Sequence, residues 1–143
     1  SVRFSRCCNP VPGDEIIGFV TRGRGVSIHR TDCANIINLS EEDRHRLIDA
    51  EWEISRKDGS GPSLSFQAEI RLLCIDRSNI ILDLSKVLSE ENLPVKSFNA
   101  RTTKDMLSIV NIVLEITSKE QLEKVCTHLK NVKGVEDIER VNS

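Results

Sequence analysis

The sequence contains no tyrosine, one tryptophan and one methionine among its 143 residues. Its five aromatics are Phe4, Phe19, Phe66, Phe98 and Trp52, a supply that argues against a base-stacking nucleic-acid platform. No apolar run reaches the roughly 18–20 residues that span a bilayer. Neither sign of charge dominates: 20 Lys and Arg face 22 Asp and Glu, a formal net charge of -2. That balance excludes both a polycationic tail and an acidic disordered one. An initiator methionine and a signal-peptide pattern are also missing, since the chain opens Ser1-Val2-Arg3-Phe4. It reads as a piece of a longer protein. The five cysteines, Cys7, Cys8, Cys33, Cys74 and Cys126, are odd in number and irregular in spacing, unlike a secreted disulfide framework. They suit a reduced, cytoplasmic setting with no membrane partner.

What is present is an ordinary globular composition, 38% apolar and 29% charged. The charge is uneven along the chain. Residues 1–31 carry five Arg and two acids, net +3, whereas residues 32–62 are net -4 and residues 63–143 net -1. The polar, Gly- and Pro-bearing stretch 55–63 reads as a linker, leaving a first domain at 1–54 and a second at 64–143. In the first, Ile16–Arg22 and Val26–Arg30 predict two strands joined by Gly23-Arg24-Gly25, a hairpin whose glycines accept positive φ. Thr31 or Asp32 would cap a short helix over Cys33–Leu39, and Ala50–Ile54 would add a strand.

In the second domain Phe66, Ala68, Ile70, Leu72 and Cys74 alternate with polar residues at strand period. Ile80, Ile81, Leu84, Val87 and Leu88 fall at helical spacing, with Ser78 as the cap. Strands over Pro94–Thr103 and Val110–Ile116, a helix through Leu122 and Leu129, and a strand over Val135–Val141 complete the order βαββαβ. The fold class is α+β: a small turn-rich hairpin and helix domain, then a ferredoxin-like unit.

Three constellations could carry chemistry. Cys7-Cys8 with His29-x-x-x-Cys33 offers the ligand types that zinc takes in tetrahedral structural sites; the same spacing also admits reduced, half-buried thiols beside a surface histidine. Thr21-Arg22-Gly23-Arg24-Gly25, with Arg30 nearby, offers guanidinium groups suited to phosphate; composition alone favours a solvated turn. Asp76-Arg77-Ser78-Asn79-Ile80 joins a strand to a helix N-terminus, where free N–H groups suit an anion or are simply capped. No nucleophile–base set or carboxylate pair with a catalytic arrangement emerges, so the segment reads as non-catalytic.

The run from Cys7 through Asn9-Pro10-Val11-Pro12-Gly13-Asp14-Glu15 and Thr21-Arg22-Gly23-Arg24-Gly25 to His29-Arg30-Thr31-Asp32-Cys33 closely resembles one family. It is similar to the C-terminal regulatory half of the long Rel/SpoT homologues, bifunctional (p)ppGpp synthetase/hydrolases or GTP pyrophosphokinases. The first domain resembles their zinc-finger-like, ribosome-intersubunit domain. The βαββαβ unit, with Asp76-Arg77-Ser78 its most familiar piece, resembles their ACT domain.

The resemblance implies a stringent-response function. The regulatory half would engage a stalled ribosome with uncharged tRNA in the A site. That would relieve autoinhibition of pyrophosphate transfer from ATP to GDP or GTP by upstream catalytic domains, which would use Mg or Mn. It implies RNA contacts at Arg22, Arg24 and Arg30, and one structural zinc at Cys7, Cys8, His29 and Cys33. The alternative it implies is an amino-acid-sensing ACT dimerisation module controlling the parent enzyme allosterically. A branched-chain amino acid would then bind at Asp76, Ser78, Asn79 and Ile80, with a homodimer pairing edge to edge. ACT domains commonly carry Gly where this chain has Asn79; Asn tolerates positive φ, so the turn should survive.

Overall fold

The computed structural model describes residues 1–53 and 65–141; Ile54 and the expected linker 55–63 lie outside them. Alternation and turn chemistry build two four-stranded sheets. The first holds β1 (Val2–Phe4), β2 (Ile16–Thr21), β3 (Gly25–Arg30) and β4 (Leu47–Asp49), in the order β1-β3-β2-β4, with short helices α1 (Ala34–Ile37) and α2 (Glu41–Arg44). The β2–β3 hairpin is in register from Ile16↔Arg30 to Thr21↔Gly25. Gly25 is required where it stands: its φ is +81°, and a Cβ there would lie 2.1 Å from the Ser1 carbonyl oxygen. That close approach lets β1 join β3 in parallel, with Val26 N–H donating to the Ser1 carbonyl at 2.9 Å.

The second sheet follows the expected βαββαβ order: β5 (Phe66–Ile75), α3 (Ile80–Glu90), β6 (Val95–Thr102), β7 (Leu107–Ile116), α4 (Lys119–Lys130) and β8 (Val135–Arg140). The fold is α+β. Spatial order is β6-β7-β5-β8, and every pairing is antiparallel. Period-two alternation sends Ala68, Ile70, Leu72 and Cys74 of β5, and Val110, Ile112, Leu114 and Ile116 of β7, to one face. There they are buried with Leu84 and Leu88 of α3 and Leu122, Val125 and Leu129 of α4. Ser118 caps α4 by accepting from Gln121 N–H at 3.2 Å, and Gly134, at φ +100°, turns the chain into β8.

Three local expectations fail for identifiable reasons. The strand expected at Ala50–Ile54 is replaced by Leu47–Asp49. Beyond it Trp52 turns away to stack on Phe4 and to donate its indole N–H to the Asp14 carbonyl at 3.0 Å. Neither Thr31 nor Asp32 caps α1; Cys33 takes the N-cap position, while the Asp32 carboxylate is held by Arg30 at 2.8 Å. Nor is Ser78 the cap of α3: Asn79 occupies that position with φ 66°, the left-handed geometry its residue type tolerates.

The two sheets share side chains. Val11, from the first segment, is fully buried within the core of the second unit. Arg140 of β8 donates to both carboxylate oxygens of Asp14, at 2.8 and 2.9 Å, and to the Asn9 carbonyl at 2.8 Å. Asp14 in turn accepts from Val11 N–H at 2.8 Å, and Lys119 N–H donates to the Pro12 carbonyl at 2.7 Å. Phe4, Trp52 and Phe66 close the seam, with ring centroids 5.3–5.6 Å apart. Among the described residues no helix is long and apolar enough to cross a membrane.

Candidate functional site

The four candidate ligands converge. Cys7 and Cys8 lie on the turn after β1, His29 on β3, and Cys33 just before α1; their ligand atoms all lie within 4.8 Å of one another. Cys7 Sγ is 3.4 Å from His29 Nδ1 and 3.5 Å from Cys33 Sγ, and Cys8 Sγ is 3.8 Å from His29 Nδ1. Sulphurs bound tetrahedrally at about 2.3 Å sit roughly 3.8 Å apart, so the spread suits one ion. The site lies beneath α1, walled by Ile36 and flanked by Ile17, Leu39 and Leu47.

The surroundings prepare the donors. Ser27, two residues before His29 on the same strand face, lies with its Oγ 3.0 Å from Nε2. That contact turns Nδ1 toward the thiols, the positioning that ligand histidines receive from their partners. Burial, then the Arg3 charge, holds His29 below its usual range, which favours the neutral imidazole a metal needs. Burial pushes Cys8 up to about 12 and raises Cys33. For Cys7, burial works upward but is outweighed by hydrogen bonds with Ser5, Asn35, Cys33 and Cys8, so that thiol falls below its usual range. The cluster could hold a metal ion, and its three sulphurs and one imidazole nitrogen are a zinc-type donor set.

Arg22 and Arg24 stand exposed on the β2–β3 tip. Neither pairs with a carboxylate among the described residues. A Cβ on Gly23 between them would meet nothing within 4 Å, so the tip projects freely. Arg3 on β1 and Arg6 just beyond it are also exposed; three residues are too few for periodicity to signal that strand. Arg30 does not join this surface. It is 4% exposed, because its position on β3 points it inward, and its Nε pairs with Asp32 at 2.8 Å.

The residues expected at an effector turn divide. Asp76, Ser78 and Asn79 follow β5 with partial or full exposure, but Ile80 is 3% exposed and belongs to the core. Sequence reasoning missed the part played by Arg77. It donates to the Lys133 carbonyl at 2.6 Å, the Ser78 carbonyl at 2.8 Å and Asp83 at 2.8 Å, clamping this turn to the one before β8. A shallow, open depression of about 310 Å³ lies beside it, lined by Asp83, Lys86, Glu90 and Lys133 among others.

Two family models match the chain. Residues 1–53 match the family model of the RelA/SpoT RIS domain, and residues 62–140 that of the ACT domain. The chain is 38% identical over 142 residues to a GTP pyrophosphokinase of Streptomyces coelicolor, covering 99% of this chain and 16% of that protein. It is 36% identical over 141 residues to the bifunctional (p)ppGpp synthase/hydrolase RelA of Mycobacterium tuberculosis, covering 99% and 18% respectively. A GTP pyrophosphokinase of Escherichia coli is 34% identical over 140 residues, covering 97% and 18%. The chain thus spans less than a fifth of the length of these relatives. Among solved structures, the solution structure of the ACT domain from a Chlorobium tepidum GTP pyrophosphokinase superposes with a TM-score of 0.50 at 22% identity. It covers 55% of this chain and 89% of that one, a likeness of fold.

Proposed function

The chain belongs to the ACT domain family, carries a RelA/SpoT RIS domain ahead of its ACT domain, and is a regulatory rather than a catalytic region of RelA/SpoT-type GTP pyrophosphokinases; on that premise we propose that it couples alarmone metabolism to the ribosome. The observation that carries this reading is the free, doubly arginine-tipped hairpin, Arg22 and Arg24 exposed without carboxylate partners among the described residues. Guanidinium groups so placed suit RNA phosphates, which fix position without reading sequence. The partners are ribosomal RNA and deacylated tRNA in the A site. Their engagement would relieve restraint on catalytic domains upstream in the same chain, where pyrophosphate passes from ATP to GDP or GTP.

Zinc is the ion proposed for Cys7, Cys8, His29 and Cys33. Bound there, it would neutralise thiolate charge and turn ligand binding into folding energy for a segment with a small core. Ser27 and Ser5 would orient its ligands, and β3 would carry that order to the hairpin tip.

The test is cosedimentation with ribosomes carrying deacylated A-site tRNA. Arg22→Glu with Arg24→Glu should weaken binding at least about tenfold. It should also flatten the slope of log affinity against log salt by about 2, as expected for two lost phosphate contacts. Equal binding and an equal salt slope in wild type and variant would overturn the assignment. The second reading, amino-acid sensing, rests on Asn79, whose φ of 66° preserves the turn where Gly is usual in ACT domains. Calorimetry with valine, leucine and isoleucine separates the two: no heat at millimolar ligand removes the sensor reading and leaves the ribosome reading intact.

A further inference from the structure

The three sulphurs of the cluster are not equivalent. All five cysteines are thiols. Cys8 and Cys33 are 1% and 0% exposed, whereas Cys7 is only half-buried. Cys8 is also committed to the backbone, since its Sγ accepts the Arg30 N–H at 3.3 Å. Cys7 and Cys33 instead face each other with Sγ atoms 3.5 Å apart, although 26 positions separate them in the chain. The Ser5 hydroxyl oxygen lies 2.8 Å from Cys7 Sγ, where it can stabilise negative charge developing on that sulphur.

Two sulphurs this close need little movement to join. A disulfide bond is about 2.05 Å long, so the pair must close by roughly 1.5 Å. Cys7 lies in a turn and Cys33 at the N-cap of α1 in an extended backbone conformation, so side-chain rotation at both ends can supply that movement. From this arrangement we infer that Cys7 and Cys33 are a modification site. A peroxide oxidises them to an intramolecular disulfide, and the cluster then exchanges its metal-binding form for a cross-linked one. The inference rests on the metal reading for what is lost, and on the sulphur geometry alone for the bond that forms.

The step balances with hydrogen peroxide as the oxidant. Cys7 Sγ attacks one peroxide oxygen and the O–O bond breaks. A sulphenic acid forms on Cys7, and the other oxygen leaves as water with the thiol proton. Cys33 Sγ then attacks the Cys7 sulphur. The S–S bond forms, the S–O bond breaks, and the hydroxyl leaves as a second water with the Cys33 proton. Each sulphur has given up one electron and each peroxide oxygen has gained one. Exposure sets the order: half-buried Cys7 meets the oxidant, and buried Cys33 resolves it. A small dithiol reverses the step by exchange. In the cross-linked form only Cys8 Sγ and the His29 imidazole remain of the ligand set, too few for the four-coordinate geometry of a structural zinc. A reversible bond of this kind suits a reducing compartment, where disulfides are transient and report on oxidant.

The experiment is mass spectrometry of the full chain treated with hydrogen peroxide, once after chelation and once loaded with zinc. The metal-free chain should lose about 2 Da, the two thiol hydrogens, and regain them in dithiothreitol. Alkylation of the remaining thiols and digestion with trypsin should then show the peptide Cys7–Arg22 linked to the peptide Thr31–Arg44. Fragmentation of the linked pair should find the alkyl group on Cys8. Cys8→Ser should keep the link and Cys7→Ser should abolish it, with circular dichroism as the check that each variant is folded; the wild-type map decides the pairing whether or not they are. In the zinc-loaded chain, peroxide should release about one zinc for each disulfide formed, read with a colorimetric metal indicator. A metal-free chain that keeps its mass, or only gains oxygen, would overturn the inference. So would a link through Cys8 or between two chains, or zinc retained in full after the disulfide has formed. A chain that binds no zinc yet links Cys7 to Cys33 would remove the metal reading and leave the modification site standing.

Discussion

Cutting the Asp14–Arg140 contact should loosen the seam between the two units before it unfolds either one. The side chains are 4% and 18% exposed, so both charges are largely removed from water. Arg140 supplies two hydrogen bonds to the carboxylate and one to the Asn9 carbonyl. Without it Asp14 would keep only the Val11 N–H, at 2.8 Å. Breaking one side of such a pair costs about 3–5 kcal/mol, because the remaining charge is stranded. Arg140→Met retains much of the aliphatic stem and should sit at the lower end, about 3 kcal/mol, or a fall in Tm of about 10 °C. Asp14→Asn keeps an acceptor for Val11 and should cost about 2 kcal/mol. The double variant strands no charge, so the cycle should reveal at least about 1.5 kcal/mol of coupling. Urea unfolding is the assay, followed by far-ultraviolet circular dichroism and by fluorescence of Trp52, which bonds to the Asp14 carbonyl itself. In Arg140→Met the fluorescence transition should precede the dichroism transition, the sign that one cooperative unit has become two. A cost below about 1 kcal/mol, additive single variants or coincident transitions would refute the reasoning.

Three further outcomes follow from other contacts. Protein purified without chelator should contain about one zinc per chain, and Cys33→Ser should lower that content and the stability of the first unit, read by metal analysis and urea titration. Gly25→Ala should cost more than about 1 kcal/mol and release β1, since φ is +81° and the new Cβ meets the Ser1 carbonyl oxygen; faster hydrogen exchange at Val26 is the direct readout. Burial pushes Cys126 up to about 11 from its ordinary 9.0. A thiol raised on folding binds its proton more tightly in the native state, so its contribution is complete below pH 9 and lost as pH climbs from 9 to about 11. Cys126→Ala should flatten that alkaline decline in a pH series of urea midpoints.

Much of the architecture is legible in the sequence because the second unit obeys simple periods. Period-two alternation in β5 and β7 and helical spacing in α3 and α4 report burial directly, and those elements fall where the pattern predicts them. The first unit is less legible for a physical reason. Its core of Cys8, Cys33 and Ile36 is too small to impress a long period on the sequence. Hence β1 leaves no signal, and Trp52 reads as a strand residue although its ring serves the seam. The four converging side chains are legible as types and spacing that could hold a metal, and Ser27 can be found as the i–2 neighbour of His29 on the same strand face. Arg30 misleads when charge is counted without facing: its neighbours on β3 decide that it points inward. Val11, Asp14 and Arg140 cannot be found from local pattern, since their roles exist only where separate segments meet.

That meeting links the cluster to the seam through one stretch of chain. Cys7 and Cys8 supply two of the ligand atoms, and the very next residues, from Asn9 to Asp14, supply the Arg140 acceptors and the buried Val11. Asn9 takes a left-handed backbone, φ 45°, to turn from one task to the other. A metal that fixes Cys7 and Cys8 therefore fixes the start of the segment that docks on the ACT core. Removing it should be felt at Trp52, which is not a ligand. Chelation should shift the Trp52 emission and lower the urea midpoint of its transition, whereas the same treatment of Cys33→Ser, already short of a ligand, should change little. If chelation strips zinc from the wild type and leaves the Trp52 signal and midpoint where they were, the cluster and the seam are independent, and the segment between them is a tether rather than a strut.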